Sequence, residues 1–303
     1  MPSYSQCECG AQIRADNTRC RLCHLQAANH IGLKDYGAVS RVGNTQALIS
    51  DVHVPLHSPK ILNSMLERAD NAAIRSCVIA GDFLDLSEIS RFMKGAEAET
   101  PEAGLQSGAD VLKVMLEVFR TITIIKGNHE LRIERTLDEV VNKRSPIATW
   151  LAKKIAPQWE ALPFADRYIA LMRQCTEDRI GKKLAARVTW LPQSEIEIEG
   201  PQGHKPWRVI HQRNGSRNAP QEALAHWQRH QQPIITTHTH LVGYRLAPNG
   251  IDPLINLGMS TVENAHEYCF REPGGYPKWV GNYALLVKGR ISLHTQSPYW
   301  REP

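Results

Sequence analysis

The sequence predicts an α/β fold built on a mainly parallel sheet, and three observations carry the prediction. Short apolar, β-branched runs alternate with amphipathic helical stripes. Several of those runs end abruptly in Asp, Asn or His. One of them, Val78-Ile79-Ala80-Gly81-Asp82-Phe83-Leu84-Asp85, passes from a buried strand through a glycine straight to a carboxylate. Ligands of open α/β sheets bind beyond the carboxyl ends of the strands, which makes Asp82 the candidate centre of a site.

Length and composition set the frame. A chain of 303 residues has room for one large domain with a small appendage, or for two modest domains. A hydrophobic fraction of 42% is enough for a real core. No apolar run approaches the ~20 residues of a membrane span. The start, Met1-Pro2-Ser3-Tyr4-Ser5-Gln6, lacks the basic-then-apolar pattern of a signal peptide, so a soluble cytoplasmic protein without a membrane partner is expected. The net charge of +5 is unevenly spread. Residues 131–187 carry twelve Lys/Arg against seven Asp/Glu, and residues 201–230 five against one, whereas residues 31–130 carry ten against thirteen. A phosphate-bearing partner fits the basic segments, and cations fit the acidic one.

Four of the seven cysteines fall in the first 23 residues. Cys7 and Cys9 form one knuckle with Gly10 behind them, and Cys20 and Cys23 form a second. Four thiolates at this spacing close a tetrahedron around a structural Zn²⁺, which replaces the core that so short a segment cannot build. His24 or His30 could stand in for one ligand. The pattern resembles the short zinc ribbons attached to many nucleic-acid-processing proteins. The expected organisation is a zinc ribbon at 1–30, a linker at 31–43 and one large domain from 44 to 303.

The large domain reads in order as follows. Thr45–Ser50 is a strand that stops at Asp51-Val52-His53-Val54-Pro55, where proline blocks its continuation. Pro59–Ala73 places Ile61, Leu62, Met65, Leu66, Ala69, Ala72 and Ala73 on one helical stripe, with proline at its start. The Cys77–Ala80 strand follows, then a polar excursion from Ser87 to Gly104. A helix from Leu105 to Arg120 precedes the strand Thr121–Lys126, which stops at Gly127-Asn128-His129-Glu130. Residues 131–187 read as an inserted, basic helical cap. The alternation Glu195-Ile196-Glu197-Ile198-Glu199 marks a half-buried strand. Trp207–Ile210 leads to His211, a short helix covers Ala219 to His230, and Pro233–Thr236 leads to His238-Thr239-His240. Two hairpins are expected, around Pro248-Asn249-Gly250 and Lys288-Gly289-Arg290.

Five strand endings thus deliver metal-capable side chains: Asp51 and His53, Asp82, Asn128 and His129, His211, and His238 and His240. A single His or Asp at a strand end is ordinary turn chemistry; five such endings on one sheet edge are not. The mixture of Asp, Asn and His suits borderline divalent ions, Mn²⁺ first with Fe²⁺ or Zn²⁺ after it. The number of ligands exceeds the needs of one ion and matches two bridged by a carboxylate. Arg213 and Arg217, close behind His211, are candidate phosphate contacts or ordinary surface arginines.

The blocks Asp51-x-His53, Gly81-Asp82-x-x-Asp85, Gly127-Asn128-His129-Glu130, His211 and His238-x-His240 resemble, in that order, the calcineurin-like metallophosphoesterase superfamily over about residues 44–303. The likeness is closest to its bacteriophage-encoded members, through Gly81-Asp82-Phe83-Leu84-Asp85-Leu86-Ser87. The resemblance implies a four-layer α/β/β/α sandwich. It also implies that Asp51, His53 and His240 hold one metal, that Asn128, His211 and His238 hold the other, and that Asp82 bridges them. His129 would then sit over the phosphate, oriented by Asp85. Thr237 and Gln212 stand where the family usually has glycine. The expected activity is metal-dependent phosphodiester hydrolysis on nucleic acid, with DNA as partner, in a host cytoplasm if the chain is phage-encoded. A phosphomonoesterase and an inactive nucleic-acid-binding module are the alternatives.

Overall fold

A computed structural model of the chain describes residues 4–6, 12–14, 39–89, 101–141, 162, 164–211, 218–262 and 280–295. The chain divides into two compact units, Met1–Val39 and Ser40–Pro303. In the first, β1 (Tyr4–Gln6) and β2 (Gln12–Arg14) pair antiparallel. Cys7, Cys9, Cys20 and Cys23 lie outside the described residues, as do Arg213 and Arg217.

The second unit holds two six-stranded sheets. One has the order β14-β13-β4-β5-β6-β7, where β4 is Gln46–Ile49, β5 Ser76–Ala80, β6 Thr121–Ile125, β7 Val188–Trp190, β13 Asn282–Val287 and β14 Arg290–Thr295. Its four central and edge strands β4 to β7 run parallel, and β13 and β14 are added antiparallel through the second predicted hairpin. The other has the order β11-β12-β10-β9-β8-β3, with β3 Arg41–Val42, β8 Glu195–Ile198, β9 Trp207–His211, β10 Ile234–Thr237, β11 Val242–Leu246 and β12 Pro253–Leu257. Its inner strands β9, β10 and β12 are parallel, and β11 and β12 form the first predicted hairpin.

Side-chain alternation along the strands sorts the apolar residues into layers. From β4, β5, β6 and β13, the set Ala47, Ile49, Cys77, Ile79, Ile122, Ile124, Tyr283 and Leu285 faces one core, where the helices pack. The intervening residues Leu48, Val78, Ala80, Ile125, Ala284 and Leu286 face the opposite way, against Ile196, Ile198, Trp207, Val209, Ile235, Ile255 and Leu257 of the second sheet. The far side of that sheet carries Ile234 and Leu254, covered by Ala223 and Trp227 of helix α6 (Gln221–His230). The result is the four-layer α/β/β/α sandwich.

The outer helices of the first sheet are α1 (Pro59–Asn71), α2 (Pro101–Val118), α3 (Glu130–Val141), α4 (Phe164–Ile180) and the short α5 (Lys182–Ala185). Helix α1 starts as its sequence predicts, with Ser58 accepting from the Ile61 N–H at 3.4 Å and Pro59 in the first turn. The segment 131–187, expected as an inserted cap, contributes its described helices to this layer instead. Ile133 of α3 and Tyr168, Leu171 and Met172 of α4 are buried in the same core as Ile79 and Ile124. Among the described residues, Arg135, Arg173, Arg179, Lys182 and Lys183 are exposed, so the basic composition reflects the solvent face of helices whose inner stripe is apolar. Lys126, at the end of β6, and Glu134 of α3 form a buried ion pair at 2.7 Å that ties helix to strand. Among the described residues no helix is long and apolar enough to cross a membrane.

Leu48 is fully buried between the sheets, whereas Val287, one hairpin away, is 44% exposed. Leu48→Ala should therefore cost about 2–5 kcal/mol in urea unfolding, and Val287→Ala about 0.5 kcal/mol or less. Equal losses would contradict the layer assignment.

Candidate metal centre

The site grows out of strand ends. The chain leaving β4 runs beside the chain leaving β5: the N–H groups of Asp51, His53 and Val54 donate to the carbonyls of Gly81, Asp82 and Phe83 at 3.1, 3.0 and 2.9 Å. Asp51, His53 and Asp82 all adopt left-handed backbone conformations, with φ of 48°, 49° and 47°. His238 and His240, beyond β10, do the same at 89° and 61°. Nine non-glycine residues among those described have positive φ, and five of them are candidate ligands. Strain concentrated in this way marks a segment held for its side chains.

Two carboxylates organise the cluster, each by dividing the work of its oxygens. Asp82 Oδ1 accepts the His129 N–H at 2.8 Å, while Oδ2 faces His211 Nε2 at 3.2 Å, His129 Nε2 at 3.9 Å and His53 Nε2 at 4.0 Å. Asp51 Oδ2 accepts the His238 N–H at 3.2 Å, while Oδ1 faces His240 Nε2 at 3.2 Å and His53 Nε2 at 4.0 Å. Asp51 Oδ1 is buried, with the His240 and His53 imidazoles as its polar neighbours among the described residues. The Nε2 atoms of His53 and His240 approach to 3.3 Å. Buried imidazole nitrogens and carboxylate oxygens turned on one another are what a cation would knit together.

Three overlapping groups have ligand atoms close enough to hold an ion: Asp51, His53 and His240; His53, Asp82 and His129; and Asp82, His211 and His238. Asp82 and His53 are each shared by two of them. The structure thus brings together Asp51, His53, Asp82, His129, His211, His238 and His240. Asn128 joins through its Oδ1, 3.1 Å from His211 Nε2.

His211 is aimed from behind. Its Nδ1 lies 2.9 Å from the Ala80 carbonyl and 2.9 Å from the hydroxyl of Thr237, which itself donates to Ala80 at 2.9 Å. Thr237 therefore fastens the second sheet to the end of β5 and points Nε2 of His211 at Asp82. Gly81 and Gly127 are required by contact: a Cβ on the first would collide with the His211 imidazole, and on the second with Asp82.

Asp85 reaches both His129 and His53. Its backbone carbonyl meets Nδ1 of His129, and its Oδ1 lies 3.6 Å from that nitrogen but 3.3 Å from Nδ1 of His53. The carboxylate thus supports the ligand His53 more directly than it supports His129. Three residues escape the sequence reading. Glu130 accepts hydrogen bonds from three backbone amides. Arg132 lies against His129. Asn256 donates to Thr239 at 3.1 Å and accepts from Thr236 at 2.5 Å, steadying the turn that carries His238 and His240. Glu130 had a signal, a carboxylate fixed in the Gly-Asn-His-Glu block; Asn256, amid an apolar strand, had none.

The electrostatics follow from burial and the carboxylates. Burial alone would lower His211, but Asp82 and then Asp51 outweigh it and push the imidazole up to about 10. Burial likewise opposes ionisation of Asp82, and His211 and His129 overcome it, holding the carboxyl well below its ordinary range. His129 goes the other way: burial, with help from His53 and Arg132, pushes it down to about 3 despite Asp82.

No family model matches the chain, and no curated protein matches it. Among solved structures, Vps29 from Entamoeba histolytica in complex with Zn²⁺ is 16% identical, covering 83% of this chain and 97% of that one at a TM-score of 0.36. Vps29 from Chaetomium thermophilum is 9% identical, covering 83% and 95% at 0.37. The Thermotoga maritima protein TM1076 is 15% identical, covering 84% and 99% at 0.32. At these identities and scores the site stands on its own geometry.

A cation entering the cluster must displace the proton that His211 holds up to about pH 10. Mn²⁺ affinity measured by calorimetry should therefore rise with pH between 6 and 9, by up to about tenfold per unit for each proton released. A pH-independent affinity would contradict this picture of the site.

Proposed function

We propose that this protein is a two-metal phosphoesterase, most directly a phosphodiesterase acting on nucleic acid. The observation that carries the reading is the sharing of Asp82 and His53 among three ligand groups. One group alone would suit one ion; overlapping groups with a common carboxylate suit a pair. Asp51, His53 and His240 would hold one ion, and Asn128, His211 and His238 the other, with Asp82 between them. Two bound divalent cations supply charge neutralisation at phosphorus and a water acidified toward neutrality.

The remaining work belongs to the chain. Asp85 steadies His53, and Thr237 with Ala80 steadies His211, so neither ring can turn away. His129 is neutral at rest, with Nδ1 donating to the Asp85 carbonyl and Nε2 3.9 Å from Asp82. The imidazole of His129, beside the cluster, is the group suited to hand the leaving oxygen its proton. Nucleic acid as substrate is supported by the basic segments 131–187 and 201–230 and by the four-cysteine pattern at the start of the chain.

His129→Ala should keep its Mn²⁺ content while kcat on bis-p-nitrophenyl phosphate falls by about 10²- to 10⁴-fold. A chelator should abolish turnover of the wild type. Wild-type hydrolysis that survives the chelator, or an unchanged kcat in the variant, would refute the reading; a marked preference for p-nitrophenyl phosphate would replace diesters by monoesters.

A further inference from the structure

Arg132 occupies the first turn of α3, three residues beyond His129, and its N–H donates to the His129 carbonyl at 2.9 Å. The side chain then folds back toward the centre. Nη1 donates to the carbonyls of Asp85 at 2.8 Å and Leu86 at 3.3 Å, while Nη2 lies 2.9 Å from Nε2 of His129. A guanidinium has only donors and keeps its charge at any working pH, so Nε2 of His129 is the acceptor in that contact.

We propose that Arg132 is a substrate contact that grips a non-bridging oxygen of the phosphoryl group at the metal centre. The assignment rests on the phosphoesterase reading and names a residue for it. Nη1, braced by two backbone carbonyls, fixes the plane of the guanidinium, so Nη2 is presented to the cluster in a set direction. It meets Nε2 of His129, the same atom that faces Asp82 Oδ2 at 3.9 Å. Arg132 is itself half-buried, whereas Asp82 is 1% exposed, so the guanidinium is the more accessible of the two charges. A phosphoryl oxygen carries charge and is a stronger acceptor for Arg than an imidazole nitrogen. A bound phosphate would thus draw the Nη2 hydrogen bond to itself and leave Nε2 of His129 facing the reacting atoms. The same movement supplies the charge of Arg132 to the substrate and frees the nitrogen that the chemistry needs.

The test is calorimetric binding of inorganic phosphate to the Mn²⁺-loaded protein, with metal content and Tm measured alongside. Arg132→Ala should weaken phosphate binding by about ten- to a hundredfold, and should raise KM for bis-p-nitrophenyl phosphate with metal content unchanged. Arg132→Lys should recover part of the affinity, since it keeps the charge but loses the braced fork. Arg135→Ala, on the exposed face of the same helix, should match the wild type. Phosphate binding in Arg132→Ala equal to wild type, a loss of metal in that variant, or no phosphate binding by the wild type would each overturn the proposal. Arg132-dependent phosphate binding by a wild type that hydrolyses no ester would sink the phosphoesterase reading and leave this contact standing. Metal-dependent hydrolysis with a KM indifferent to Arg132 would do the reverse.

Discussion

Glu130 is the buried carboxylate on which the geometry of the centre depends. It is fully buried, and its oxygens accept the N–H groups of Gly127 at 2.8 Å, Asp82 at 3.1 Å and Leu84 at 3.1 Å. Those amides belong to the chain leaving β5 and the chain leaving β6, so one side chain locks two strand ends to the first residue of α3. Without it, three buried donors lose their acceptor, each at a cost of about 1–3 kcal/mol. Burial, and then the charge of Asp82, raise the carboxyl above its ordinary value, which the Leu84 and Gly127 amides and His211 oppose. The protein keeps a second acid next to Asp82 because it needs a rigid acceptor there, not because it needs another ligand.

The same logic runs through the rest of the site. Asp51 and Asp82 each give one oxygen to a backbone N–H and the other to imidazoles. This division fixes the carboxylates without consuming the atoms that face the cluster. Ala80, Thr237 and His211 meet across the two sheets, so the inter-sheet core and the ligand set are one mechanical unit. The left-handed conformations at five candidate ligands are sustained by this framework.

Much of this was legible in the residues. The apolar runs of β4, β5 and β6, the alternation of β8 and the abrupt polar endings of the parallel strands identify the sheet edge, because a buried strand has few other reasons to end in Asp or His. The two hairpins and the start of α1 follow from turn and capping chemistry. What sequence reasoning missed are contacts that exist only after folding. The Asp85 carboxylate lies nearer to His53 than to His129, whose Nδ1 meets the Asp85 carbonyl, because the loops after β4 and β5 run side by side, a pairing no spacing encodes. Arg132 reads as one more basic residue until α3 turns it back on His129. The basic composition of 131–187 suggested a cap, but helices of the outer layer need only one apolar stripe and leave the other faces free to be basic.

The central claim is that Asp82 stands between two cations. Crystals grown with Mn²⁺ and measured at the manganese absorption edge test it most directly. The account predicts two anomalous peaks on either side of the Asp82 carboxylate, one beside Asp51, His53 and His240 and one beside Asn128, His211 and His238, about 3.5–4 Å apart. A single peak, or peaks that leave Asp82 without a metal contact, would contradict it.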